Sequence, residues 1–189
     1  MAVLNNPKID SLLERPSRSF YPTLKYLPKK IRGQIGLLYL LARVADTIAD
    51  SKHGETEVLL EALSAYNEVA QGRSQTLPDF MELAEAQTNE HEAELLRNVD
   101  DVVEGLKDYD QGDQQRILSC LDIIIGGQIL DLQRFGMAKE GGSISSLTTD
   151  SELDDYAFRV AGCVGVFWTE MYLAHLIKLS PEDEKIFQE

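Results

Sequence analysis

Residues 29–50 read KKIRGQIGLLYLLARVADTIAD, and the fold turns on how this stretch is understood. From Gly33 to Ala49 it is nearly all apolar; its polar side chains are Gln34, Tyr39, Arg43, Asp46 and Thr47. The pattern predicts a long core-type helix from Lys29 to Ser51, with Gly54 marking its end. At about 100° per residue, Tyr39, Arg43, Asp46 and Asp50 fall within about 60° of one another. Such a stripe must face a cavity, a partner charge or a metal, because buried charge is costly when unpaired. An Arg43–Asp46 or Arg43–Asp50 pair lining the core would satisfy it equally well. The D-x3-D spacing alone says nothing: with fifteen Asp in 189 residues about one such pair arises by chance, and Asp150/Asp154 is another.

Outward from this helix the chain stays helical. Phe20, Leu24 and Leu27 sit at helical spacing in a short segment opened by Pro16-Ser17 and closed by Pro28. Further helices are expected over Glu55–Gln71, from Pro78 to about Arg97, over Val99–Tyr109 and Gln114–Met137, and from Asp150 to about Leu179. Gly141 to Thr149 reads as the clearest loop. No period-2 strand pattern and no repeat is found, so an all-α fold in a single helical domain is expected. Ser180-Pro181-Glu182-Asp183-Glu184 forms a good helix start close to the last residue, from which further chain downstream is expected.

Two other segments carry polar groups into apolar surroundings. Gly126-Gly127 lies mid-helix, where each glycine costs about 1 kcal/mol relative to alanine. Gln128 and Asp131 follow it on one face with Ile124 and Phe135. Asp155-Tyr156 leads into Val160-Ala161-Gly162-Cys163-Val164-Gly165, whose small residues could admit a slim apolar ligand. Close helix–helix packing explains both glycine sets slightly better. Carboxylates one turn apart suit Mg²⁺, which takes few carboxylates plus substrate phosphate oxygens. Arg43, Arg18 and Arg32 are the cations available to share an anion's charge.

Composition removes several function classes. Thirty-two acids against eighteen bases leave −14, the wrong balance for nucleic acid or a polybasic membrane anchor. Twelve acids and two bases fall between Asp79 and Gln115, read as a solvated helical face. Cys120 and Cys163 form no CxxC, and reduced cytoplasmic thiols are expected. His53, His91 and His175 have no partner at metal or triad spacing, and no phosphate-cradling glycine loop or G-x-S-x-G elbow is present. Met1–Arg15 lacks the apolar core of a signal peptide.

Three blocks together resemble the squalene/phytoene synthase family. Ser17-Arg18-Ser19-Phe20 is similar to its S-x-S-F signature, residues 38–50 to its first aspartate-rich helix Y-x3-R-x2-D-x3-D, and residues 156–165 to its Y-x3-V-A-G-x-V-G helix. Gly127-Gln128-Ile129-Leu130-Asp131-Leu132 resembles a weaker family segment. The resemblance implies an isoprenoid-synthase-type bundle and Mg²⁺-dependent head-to-head condensation of two prenyl diphosphates through a cyclopropyl intermediate, with NADPH where reduction follows. It implies Asp46 and Asp50 as metal ligands, and Tyr39, Arg43, Arg18 and Ser19 around the diphosphate. Tyr156 would assist the chemistry near the carbocation. Phe20 and Gln128 belong to the matching blocks as substrate contacts, and Val160, Ala161 and Gly165 would line the prenyl tunnel. Asp46-Thr47 is closer to the squalene-forming pattern, which points to farnesyl diphosphate; phytoene- and hydroxysqualene-forming relatives and a non-catalytic helical lipid-binding or assembly homologue are the alternatives. The family's second aspartate-rich helix has no match between Phe167 and Glu189, so weak or absent turnover by these 189 residues alone is expected. A greasy product implies contact with a membrane surface; product and oligomeric state stay open.

Overall fold

The computed structural model describes residues 2–15, 17, 20–51, 54–139 and 146–177. Its helices are α1 (Pro7–Glu14), α2 (Phe20–Tyr26), α3 (Lys29–Ala49), α4 (Thr56–Ala70), α5 (Met81–Glu85), α6 (Glu90–Arg97), α7 (Val99–Glu104), α8 (Gln111–Lys139), α9 (Asp150–Ala157) and α10 (Cys163–His175). Among the described residues there is no strand. The chain is all-α, as the helical periodicity predicts.

Helix α3 is the axis of the molecule. Fifteen of its 21 residues are buried, and α8, α4 and α10 pack around it. The apolar run predicts this: a helix apolar on all but one narrow stripe has little surface to give to water. Gly36 lets α3 press against the N-terminal segment, since a Cβ there would lie 2.8 Å from Val3 Cγ1. Tyr66 of α4 is fully buried, and its hydroxyl donates to the Leu41 carbonyl at 2.9 Å.

Several boundaries differ from the sequence reading. Residues 7–14 form a helix that it passed over, started by the Asn6 side chain accepting the Lys8 N–H and by Pro7. The single helix expected from Pro78 to Arg97 is two, α5 and α6, because the Asn89 side chain caps a new start by accepting the His91 N–H at 3.0 Å. The stretch from Asp150 is one rod interrupted by a π-turn at Phe158–Gly162 and ends at His175, not Leu179. The expected helix start at Ser180, the loop's Gly141-Gly142-Ser143, and His53 lie outside the described residues.

His175 has a partner after all. Its Nε2 lies 2.8 Å from Asp113 Oδ1, while Gln34 Nε2 donates to Asp113 Oδ2 at 2.8 Å. This node ties the end of α10 to the start of α8 and to α3. Its hydrogen bonds outweigh burial and hold the Asp113 carboxyl below the usual range. Trp168, the chain's single tryptophan, packs half-buried against the same core from α10.

Candidate active site

A cavity of about 390 Å³ opens between α3, α8 and the α9–α10 rod. Helix α3 supplies Tyr39, Ala42, Arg43, Asp46, Ala49 and Asp50 to its wall. Helix α8 supplies Ile124, Gly127, Gln128, Asp131 and Leu132, and the rod supplies Tyr156, Val160 and Val164. Three segments spread over more than a hundred residues of sequence therefore meet in one space. The α3 segment brings Arg43, Asp46 and Asp50 to the charged end, α8 adds Asp131, and the rod's contribution is aromatic and aliphatic.

The charged end is built by helical spacing. Arg43 Nη1 donates to Asp46 Oδ2 at 2.5 Å, one turn on, and Arg43 Nη2 donates to Glu92 Oε1 of α6 at 2.5 Å. The pairing foreseen as a structural alternative thus exists, and it lines a cavity rather than sealed core. Burial is the main reason Asp46 titrates above the usual carboxylate range; Arg43 opposes it, but Asp50 and Glu92 add to it. For Arg43 burial works against the charged form, and Asp46 and Glu92 more than offset it, so its guanidinium is held more firmly protonated. Tyr39 is raised by burial, with Arg43 pulling down and Asp46 pushing up. Phe20 does not line the cavity; its ring packs against Tyr39 at 4.6 Å between centroids and backs that wall.

Two buried polar atoms at this site have no partner: Gln128 Oε1 and Arg43 Nε. Unmet groups of this kind are costly in a closed core and ordinary beside a ligand space. The Gly126-Gly127 pair is accounted for by packing. A Cβ on Gly127 would stand 2.9 Å from Arg159 Cβ, so α8 carries glycine where the rod crosses it. Arg159 is pinned there by Asp155, with Nε 2.9 Å from Oδ2.

The residues expected along the prenyl tunnel divide between two faces of the rod. Val160 and Val164, four apart, face the cavity. Ala161 and Gly165 stand one position further round the rod, are exposed, and do not line it. Arg32 is likewise away from the site: eleven residues before Arg43, about 16 Å along the axis, with its Nη2 donating to the Leu27 carbonyl at 2.7 Å. Arg18 and Ser19 lie outside the described residues. Asp131, read as sharing a face with Gln128 and as part of the weaker family segment, lines the cavity, as do Ile124 and Val164. Glu92 carried no signal at all, being one acid among twelve on a stretch taken as solvated.

Asp46 and Asp50 offer hard oxygen donors one turn apart, a set that fits Mg²⁺ completed by substrate oxygens. Among the described residues no group of three or more His, Cys, Asp or Glu side chains stands ready to hold an ion unaided. A helical bundle with a carboxylate–arginine end to a partly apolar cavity has the chemistry to suit an anionic head on an apolar tail. The sequence pattern of the squalene/phytoene synthase family matches residues 13–186, and the chain belongs to that family. Membership supports a prenyl-transferase-type enzyme with a prenyl diphosphate substrate. None of the curated proteins matches the chain. No helix among the described residues is long and apolar enough to cross a membrane.

Proposed function

We propose that the protein condenses two prenyl diphosphates head to head, with farnesyl diphosphate as substrate and a squalene-type product, in a Mg²⁺-dependent reaction. The observation that carries this reading is the single cavity that gathers Tyr39, Arg43, Asp46, Asp50, Gln128 and Tyr156 from three helices. Bound Mg²⁺ would neutralise charge on the diphosphate and so ease its departure. Asp46 and Asp50 would hold that ion. Arg43 supplies N–H donors to phosphate oxygens, and Gln128 offers a polar contact on the facing wall. Val160, Val164 and Ile124 receive the prenyl chain and keep water from the carbocation. Tyr156, on the wall across from the aspartates, stands where an aromatic face and hydroxyl can stabilise positive charge as it develops.

The test is calorimetric titration with inorganic pyrophosphate and with farnesyl diphosphate, each with and without Mg²⁺. Asp46→Asn and Asp50→Asn should each weaken Mg²⁺-dependent binding at least about tenfold, the equivalent of about 1.4 kcal/mol, while leaving the thermal midpoint nearly in place. Unchanged binding in both variants would sink the enzyme reading in favour of a helical module that keeps the fold without the chemistry.

A further inference from the structure

Arg43 owes its posture to a residue outside the cavity. Glu92 does not line that cavity; with Thr47 and Thr88 it borders an adjoining crevice of about 140 Å³ that shares Arg43, Asp46 and Asp50 with it. Its side chain is largely buried, 21% exposed, and it comes from the first turn of α6, where the helix N-terminus favours a carboxylate. Helix α6 is anchored in turn, since its Ala93, Leu95 and Leu96 are buried and it packs on α3. Glu92 is thus a fixed post, and the 2.5 Å contact to Nη2 is the link that joins it to the site.

Resting on the functional reading above, we propose that Glu92 is a positioning residue for Arg43. Held by Asp46 alone, the guanidinium could pivot about that single contact and swing towards Asp50, seven residues on. Held by Asp46 on one nitrogen and Glu92 on the other, the guanidinium keeps a fixed plane at the cavity wall, ready for a diphosphate. The sign of the effect separates this role from a simple charge effect. Removing a negative charge near an anion site tightens anion binding by electrostatics alone; removing a positioning post weakens it.

The experiment is a double-mutant cycle on the full chain, reading the affinity for inorganic pyrophosphate in Mg²⁺. Glu92→Ala should weaken binding about fivefold, with no further loss when it is added to Arg43→Ala. Glu92→Gln keeps an acceptor oxygen and should recover most of the affinity. It also serves if the alanine variant folds poorly. In ¹⁵N spectra the Arg43 Nη signals should be separate in the wild type and averaged in Glu92→Ala. Binding as tight as or tighter than wild type in Glu92→Ala overturns the proposal, as does an equal loss in both backgrounds. A wild-type chain that fails to bind pyrophosphate overturns the functional reading and this one with it; normal wild-type binding with an indifferent Glu92→Ala fails this one alone.

Discussion

The two walls that face each other across the cavity are built on opposite terms. Helix α3 is sunk in the core, with fifteen of 21 residues buried and its charged stripe as the one face left open. The opposing rod has no buried residue in α9 and only Cys163, Phe167 and Met171 buried in α10, while Phe158, Val166 and Tyr172 stand exposed on it. Among the described residues, the charged wall is packed on several sides and the apolar wall on one. Groups that must meet phosphate at fixed distances belong on the first kind of wall; a surface that must fit a flexible hydrocarbon tolerates the second.

The largest expected difference is in the packing. Leu41→Ala on α3, at a fully buried position, should cost about 3 kcal/mol of stability in urea unfolding. Val166→Ala on the rod, half exposed, should stay within about 0.5 kcal/mol. Equal costs would break the comparison.

Next come two carboxylates whose titrations run in opposite senses. Asp113 is held below the ordinary range, so it adds stability above that range and loses it as pH falls through its depressed value. Asp113→Asn should cost about 2 kcal/mol at neutral pH and less in acid. Asp46 is raised, so its contribution to stability falls as pH climbs from the ordinary carboxylate range to its elevated value. Asp46→Asn should then be no less stable than wild type at neutral pH and should lose any advantage in acid. Thermal midpoints measured across pH 3–8 check both, and parallel curves for the two variants would refute the assignment.

The smaller effects concern glycine. Gly127→Ala pushes a methyl against Arg159 and should cost about 1.5 kcal/mol by forcing the rod away from α8. Gly165→Ala meets nothing within 4 Å and should be neutral or gain up to about 1 kcal/mol from helix propensity. Chemical denaturation of the pair would sharpen the contrast between the crossing point and the open side of the rod.

What the sequence disclosed follows from how local its signals are. The α3 stripe was legible because one helix holds Tyr39, Arg43, Asp46 and Asp50, and their angles follow from spacing alone. The family blocks brought in Gln128, Tyr156 and Val160, which the cavity does gather. Ala161 and Gly165, named from the same blocks, stand one position round the rod from Val160 and Val164 and outside the cavity lining, a placement the motif alone does not give. Glu92 and the His175–Asp113 contact were illegible for another reason. Each joins residues 49 or 62 positions apart through tertiary packing, and nothing local marks them. The break between α5 and α6 could have been found, since Asn89 followed by acids is a helix-start pattern.

The placement of Trp168 gives the molecule an optical handle. It stands one helical turn after Val164, which lines the cavity, and it is the only indole in the chain. On the proposed function, a hydrocarbon tail settling against Val164 would change the polarity felt at the next turn. Emission excited near 295 nm, where tyrosine is silent, then reports occupancy of the apolar wall without any label.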